Sequence, residues 1–240
     1  EGYGLSETSP VLTANSPESI RFGSVGKTLF NVEVKIAADG EILAKGPNIM
    51  KGYFNNDEAT REAIDEDGWF YTGDIGHVDA DGFLFITDRK KNILVTSAGK
   101  NVAPAPIENA MVNSPYIEQS VVIGDKRNFI SALIAPSFEA IEKFLSDQGR
   151  PTSDNVLMIK DPDVISLIQK EVDSTMEKFS HYERVKEFSL INRLFTIDKG
   201  ELTPTLKVIR KVVLENFSDE VATIYAGSIE SIEQEEAAIV

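Results

Sequence analysis

The sequence predicts an α+β fold: an antiparallel, β-rich subdomain followed by an α/β domain. Two observations predict it. Between residues 22 and 86, short alternating apolar segments are separated by Asp-Gly turns, the pattern of a small antiparallel unit. From about residue 104, helical periods alternate with apolar runs suited to buried strands, as in a layered α/β module. The pattern changes at Asp88–Lys91, which divides the chain into residues 1–88 and 89–240.

In the first part, Val32-Glu33-Val34-Lys35-Ile36 alternates apolar and charged residues, as a half-buried strand does. Ala38-Asp39-Gly40 turns the chain into a second strand, Glu41 to Gly46, because Asp-Gly tolerates the positive φ that tight hairpins need. Asp57 to Ile64 reads as a helix with Asn56 or Asp57 as its cap. Phe70-Tyr71 and Gly76-His77-Val78 read as two separate strands, and Ala80-Asp81-Gly82 turns into Phe83–Ile86.

In the second part, Ile93-Leu94-Val95 is a short strand. Pro104-Ala105-Pro106 opens a helix running to about Asn113, since a proline in the first turn loses no hydrogen bond. Strands follow at Ile117–Ile123 and Phe129–Ala135, the latter with Ala and Leu inward. Phe138 to Gln148 is an amphipathic helix stopped by Gly149. Asp163 to Phe179 keeps a helical period, Val185 to Ile191 alternates, and Leu206 to Asn216 reads as helix. The acidic tail from Ser228 has no core pattern and is expected to be frayed or disordered. No internal repeat is found.

Composition narrows the function. The net charge is −15, with 16 acidic and 8 basic residues in 1–90 and 23 and 16 in 91–240. No segment offers the basic face that a nucleic-acid phosphate backbone requires. The chain has no Cys, which removes disulfides, thiolate catalysis and Cys-ligated metals. Its two His, His77 and His181, lie far apart in sequence. No apolar run has the length of a membrane span. The expectation is a cytoplasmic protein, with peripheral contact at a membrane left open.

Four blocks carry the chemistry. Read alone, each has a plain alternative. Tyr3-Gly4-Leu5-Ser6-Glu7 is either a glycine turn with an incidental acid or a carboxylate and hydroxyl set for a phosphate and a hard cation. Tyr71-Thr72-Gly73-Asp74 ends in an Asp that either caps a strand or accepts from ribose hydroxyls. Asp88-Arg89-Lys90-Lys91-Asn92 is either a solvated basic turn or a hinge at an element boundary. Leu202-Thr203-Pro204-Thr205-Leu206-Lys207 holds a lysine that is either an exposed helix residue or a stabiliser of developing negative charge. Between the last two lies Thr96-Ser97-Ala98-Gly99-Lys100, small enough for close passage of a thin chain, or a plain turn.

Taken together, the order and spacing of these blocks resemble the acyl-adenylate-forming ligases: acyl-CoA synthetases, adenylation domains and luciferases. The wider wording, Arg21-Phe22-Gly23-Ser24-Val25-Gly26-Lys27 and Gly46-Pro47-Asn48-Ile49-Met50-Lys51-Gly52-Tyr53, is most similar to bacterial long-chain fatty acyl-CoA synthetases. The resemblance implies that Tyr3 stacks near adenine, that Ser6 meets the adenylate phosphate and that Glu7 helps hold Mg2+. It further implies that Asp74 and Arg89 bind the ribose, that Lys91 is the pivot of a mobile C-terminal domain, that Gly99 lines the CoA tunnel and that Lys207 is the catalytic lysine. ATP, a fatty acid and CoA would be the substrates. Ser6 stands where many relatives have Thr, Thr205-Leu206 where many have Ser-Gly, and Val95 where some have Lys. The Ser/Thr/Gly-rich phosphate loop of such enzymes has no match, so the chain reads as the C-terminal part of a larger enzyme, with an isolated nucleotide- or acyl-binding module as the rival. An adenylation domain that loads a carrier protein is the other rival; a luciferase-like oxidase is a third.

Overall fold

Alternating side chains in the first half build two antiparallel sheets. The computed structural model describes residues 1–226 and divides the chain into two units, Glu1–Ile93 and Leu94–Val240. In the first unit, β1 (Gly2–Gly4), β2 (Val11–Ala14) and β3 (Lys27–Thr28) form one sheet. Strands β4 (Glu33–Ile36), β5 (Glu41–Lys45), β6 (Phe70–Val78) and β7 (Leu84–Arg89) form the second, in that order. Leu12, Ile42, Ala44, Phe70 and Leu84 are buried. The helix α1 (Asp57–Ala63) is started by Asn56, whose side chain accepts from the Ala59 N–H at 3.1 Å. A cap of this kind stabilises a helix by about 1 kcal/mol.

One expectation changes here. Phe70–Val78 is one strand, not two, because Thr72 and Asp74 find partners that keep polar residues inside the ladder. The first sheet has too little apolar alternation to be read from sequence. Its bulge depends on Gly4, where an added Cβ would lie 1.7 Å from the Pro10 carbonyl oxygen.

In the second unit, β8 (Leu94–Val95) and β9 (Asn101–Val102) pair across a turn. Then come α2 (Pro104–Met111), β10 (Ile117–Ile123), β11 (Ile130–Pro136), α3 (Phe138–Asp147), α4 (Asn155–Met158), α5 (Pro162–Met176), β12 (Val185–Leu190) and α6 (Arg210–Asn216). Residues 218–226 are also helical. Strands β10 and β11 are antiparallel, but β11 and β12 are parallel. A parallel pair needs a crossover of a dozen residues or more, which α3 to α5 supply.

The Ala and Leu of β11 are inward, but they fall on both of its faces, with Ile130 and Ile134 buried beside them. Ile130, Ala132 and Ile134 pack with Ile107, Ile141, Ile168 and Val172 on one side. Leu133 and Ala135 pack with Phe195, Val213, Phe217 and Val221 on the other. A strand covered on both faces reads as a continuous apolar run. Removing Leu133, which is wholly buried, to Ala would cost about 2–5 kcal/mol.

Helix α6 also starts later than expected, at Arg210 rather than Leu206. Leu206 has φ +61°, which no helix interior accepts, and Leu202 bridges to Val208. Lys207 therefore stands on a loop. Among the described residues no helix is long and apolar enough to cross a membrane. The tail from Ser228 lies outside the described residues.

Candidate functional site

In the first unit the antiparallel register of β6 and β7 sets Asp74 opposite Arg89. The Asp74 carboxylate then takes Arg89 Nε at 2.8 Å on one oxygen and the Tyr3 hydroxyl at 2.6 Å on the other. Three residues from positions 3, 74 and 89 meet in one cluster. Thr72 fixes the strand beneath: its hydroxyl donates to Ile42 O at 2.8 Å and accepts the Asp74 N–H at 3.1 Å.

Burial, then the hydrogen bond to Asp74, raises the Tyr3 hydroxyl above its ordinary range. Tyr3 is thus a fixed donor at neutral pH, and Asp74 has a permanent partner on each oxygen. Each carboxylate oxygen carries two lone pairs, so acceptor sites remain. Arg89 is about half exposed and meets Asp74 through its Nε, and its two Nη groups make no hydrogen bond among the described residues. Two acceptors beside two donors suit a vicinal diol.

Ser6 and Glu7 lie on the 3-10 turn Ser6–Thr8 that follows β1. Wholly buried Thr8 holds this turn: its hydroxyl accepts from Leu5 N–H at 2.9 Å and donates to Pro10 O at 2.6 Å. Ser6 is exposed. Glu7 Oε1 accepts from the Tyr53 hydroxyl at 3.0 Å, while its other oxygen makes no hydrogen bond among the described residues. No cluster of three or more His, Cys, Asp or Glu occurs there. A single oriented carboxylate fits Mg2+, which keeps waters and takes one or two carboxylates alongside substrate phosphates.

Lys91 sits within the 3-10 turn Lys90–Asn92, two residues before the division between the units. Its neighbours are held: Lys90 Nζ lies 2.7 Å from both Asp39 and Glu41, and Asn92 Nδ2 donates to Asp88 at 3.2 Å. The Lys91 side chain is exposed and makes no hydrogen bond or ion pair among the described residues.

In the second unit Gly99 occupies the turn between β8 and β9 with φ +72°. A Cβ placed there meets nothing within 4 Å, so the glycine answers to backbone conformation. Lys207 stands on the loop closed by the Leu202–Val208 bridge. Its N–H donates to the Thr203 hydroxyl at 3.0 Å and its carbonyl accepts Thr203 N–H at 2.8 Å. Its ammonium is exposed and unpaired among the described residues. Among the described residues no hydrogen bond joins the Gly99 and Lys207 loops.

The sequence gives no sign of the group that holds the lysine loop. Glu201 is wholly buried and accepts from Arg193 at 2.6 and 2.8 Å, Asn216 at 2.9 Å and Thr196 N–H at 3.0 Å. Burial alone would raise its pKa, but the Arg193, Asn216 and Thr196 contacts outweigh it and bring it to about 2. Ile209 N–H returns to Glu201 O at 2.7 Å. In sequence Glu201 looks like any solvated acid.

The first unit thus carries a Tyr–Asp–Arg cluster with groups suited to a diol, and the second carries an exposed lysine on a braced loop. Residues 91–228 match the model of the AMP-binding enzyme C-terminal domain, and residues 1–54 match that of the AMP-binding enzyme. The chain belongs to the AMP-binding enzyme family, within the acyl-adenylate-forming ligases. It is 45% identical over 226 residues to the long-chain-fatty-acid–CoA ligase FadD15 of Mycobacterium bovis, covering 94% of this chain and 38% of that protein. It is similar to O-succinylbenzoate coenzyme A synthetase from Bacillus subtilis in complex with ATP and magnesium (28% identity, TM-score 0.60, covering 88% of this chain and 40% of that one). It is also similar to the adenylation domain of a carboxylic acid reductase from Segniliparus rugosus bound to AMP and a carboxylic acid (26% identity, TM-score 0.69, 94% and 35%). The chain spans about two fifths of the length of these curated relatives.

Proposed function

We propose that the chain serves as the nucleotide-closing and lysine-bearing part of a long-chain fatty acid–CoA ligase. The reaction joins a fatty acid to AMP from ATP, releases pyrophosphate, and then exchanges AMP for the thiol of CoA. The observation that carries this reading is the Tyr3–Asp74–Arg89 cluster, whose free acceptors and donors suit the ribose hydroxyls. Identity to fatty-acid–CoA ligases supports the acyl substrate and CoA over a carrier protein. A cytoplasmic location belongs to the same proposal.

In this reading Asp74 and Arg89 fix the ribose, and the Tyr3 ring lies along the adenine while its hydroxyl holds Asp74 in place. The exposed Ser6 hydroxyl meets the α-phosphate. Glu7 offers its free oxygen to Mg2+, which when bound neutralises phosphate charge. Lys207 brings an ammonium to the carboxylate and α-phosphate oxygens as charge builds between them. Rotation at Lys91 then exchanges the Lys207 loop for the Gly99 turn, which lines the path of the pantetheine arm.

The test is a full-length ligase carrying this sequence, supplied with ATP, Mg2+, a long-chain fatty acid and either CoA or a carrier protein. Acyl-CoA with matching AMP release is the expected product. Acylated carrier protein without acyl-CoA would transfer the reading to the adenylation domains. Light emission or oxygen uptake would point to an oxidase.

A further inference from the structure

The acid of β5 that faces the sheet interior has no part in the chemistry above. Glu41 is 3% exposed. Its Oε1 accepts the Gly73 N–H at 2.9 Å, one residue before Asp74. Its Oε2 takes Lys90 Nζ at 2.7 Å, and the same ammonium reaches Asp39 Oδ2 at 2.7 Å. We propose that Glu41 is a positioning residue that ties the start of the connection between the two units, at Lys90, to the backbone that presents Asp74. The proposal rests on the reading in which Asp74 binds the ribose and Lys91 is the pivot.

The physical argument starts from burial. A carboxylate out of water is costly unless it is paired, and removing one partner leaves most of that cost uncompensated. Glu41 therefore resists any motion that draws Lys90 away. The bridge from Asp39, then Glu41, raises the Lys90 ammonium above its ordinary range despite some desolvation, so it stays charged throughout the neutral range. One residue further on the restraint ends, because Lys91 has no side-chain partner among the described residues. Among the described residues the Asn92 side chain makes one hydrogen bond, at 3.2 Å to Asp88. Rotation at Lys90 would break a pair with one buried member, whereas rotation at Lys91 breaks only that longer bond and the 3.3 Å bond from Ile93 N–H to Lys90 O. The stationary side of the pivot is thus set by an acid on another strand, 49 residues earlier in the chain. The same acid holds Gly73, so the linker and the nucleotide carboxylate share one support.

The anchor can be read without catalysis. The Ile93 N–H donates to Lys90 O at 3.3 Å and closes the 3-10 turn, so its exchange with deuterium reports whether Lys90 is held. In the 240-residue chain, Lys90→Met should speed exchange at Ile93 by about tenfold, as expected for losing a charge-assisted anchor. Exchange within β6 should stay as it was. Lys90→Arg should restore protection, and Glu41→Gln, which keeps an acceptor for Gly73 N–H, should reproduce the Lys90→Met result. Half-exposed Lys90 is the safer site should a Glu41 variant fail to fold. In a full-length ligase carrying this sequence, Lys90→Met should slow conversion of acyl-adenylate to acyl-CoA while the apparent KM for ATP holds. Unchanged exchange at Ile93 in Lys90→Met, or no recovery in Lys90→Arg, overturns the anchor. If exchange responds but the thioester step does not, the positioning role is overturned while the local tie stands. If Asp74→Ala leaves the KM for ATP untouched, the underlying ribose reading fails instead.

Discussion

Asp74 and Lys207 are held in opposite ways. Both oxygens of Asp74 are bound, by Tyr3 and Arg89, and its side chain is almost wholly buried. Lys207 has an exposed ammonium, unpaired among the described residues, but its backbone is fixed by Thr203 and, through Ile209, by Glu201. In the first unit the side chain is preorganised; in the second, the loop is, and the side chain keeps its rotamers. A group that must bind one ligand in one pose gains from being locked. A group that must reach charge developing in the transition state needs a fixed base and a free tip.

The largest effect that can break this comparison is on Lys207. In a full-length ligase carrying this sequence, Lys207→Ala should lower adenylation, measured by pyrophosphate exchange, by about 2.7–4 kcal/mol, on the order of a hundred- to a thousand-fold. Conversion of supplied acyl-adenylate to acyl-CoA should be largely spared. Lys207→Arg should rescue poorly, since a planar fork does not replace a compact ammonium. Equal loss in both half-reactions, with an unchanged melting temperature, would mean that the lysine serves both steps.

Next is the support of that loop. Glu201→Ala should destabilise the second unit by about 3 kcal/mol, the low end for a broken buried pair because Arg193 stays partly hydrated. That corresponds to a fall of about 6–12 °C in melting temperature. The pH dependence has a definite sign. Glu201 has a folded pKa of about 2 against an ordinary value of 4.5, so its contribution is complete above about pH 4.5 and is lost as pH falls through about 2. Glu201→Gln should flatten stability between those limits, as followed by circular dichroism. A slope unchanged from wild type would remove Glu201 from this role.

Asp74→Ala should weaken apparent ATP affinity in the ligase by about 1.5–3 kcal/mol, roughly ten- to a hundred-fold. It also leaves the buried Tyr3 hydroxyl without its acceptor, so Asp74→Asn is the control that keeps one. Unchanged ATP affinity in both variants would make Asp74 a structural brace only. The smallest effect is at Gly99. Gly99→Ala meets no steric clash but forces an L-residue to φ +72°, which costs about 1–2 kcal/mol. Gly99→Asn should cost less, and calorimetry can rank the three chains.

Periodicity made much of the fold legible. The strand Ile117–Ile123 and the helix beginning at Phe138 stand where their apolar spacing places them. The misreadings share one cause. Phe70–Val78 looked interrupted because Thr72-Gly73-Asp74 is polar, yet its partners lie on other strands. The helix expected from Leu206 gives way to a loop because the Leu202–Val208 bridge and the Glu201 anchor outweigh local propensity. Tyr3, Asp74, Arg89 and Lys207 were all nameable from their motifs. Thr8, Glu41 and Glu201 were not, because a buried acid or hydroxyl looks the same in sequence as a solvated one.

The sequence by itself determined which segments are apolar at period two or 3.6, where turns fall, and which motif residues could meet a nucleotide, since these are properties of neighbours along the chain. Only the tertiary structure decided that Asp74 faces Arg89 and Tyr3, that β11 is covered on both sides, and that Glu41 and Glu201 are buried supports. Those outcomes depend on strand register and on partners distant in the chain, and the free energy of a buried charge is set by its partners rather than by the residue that carries it.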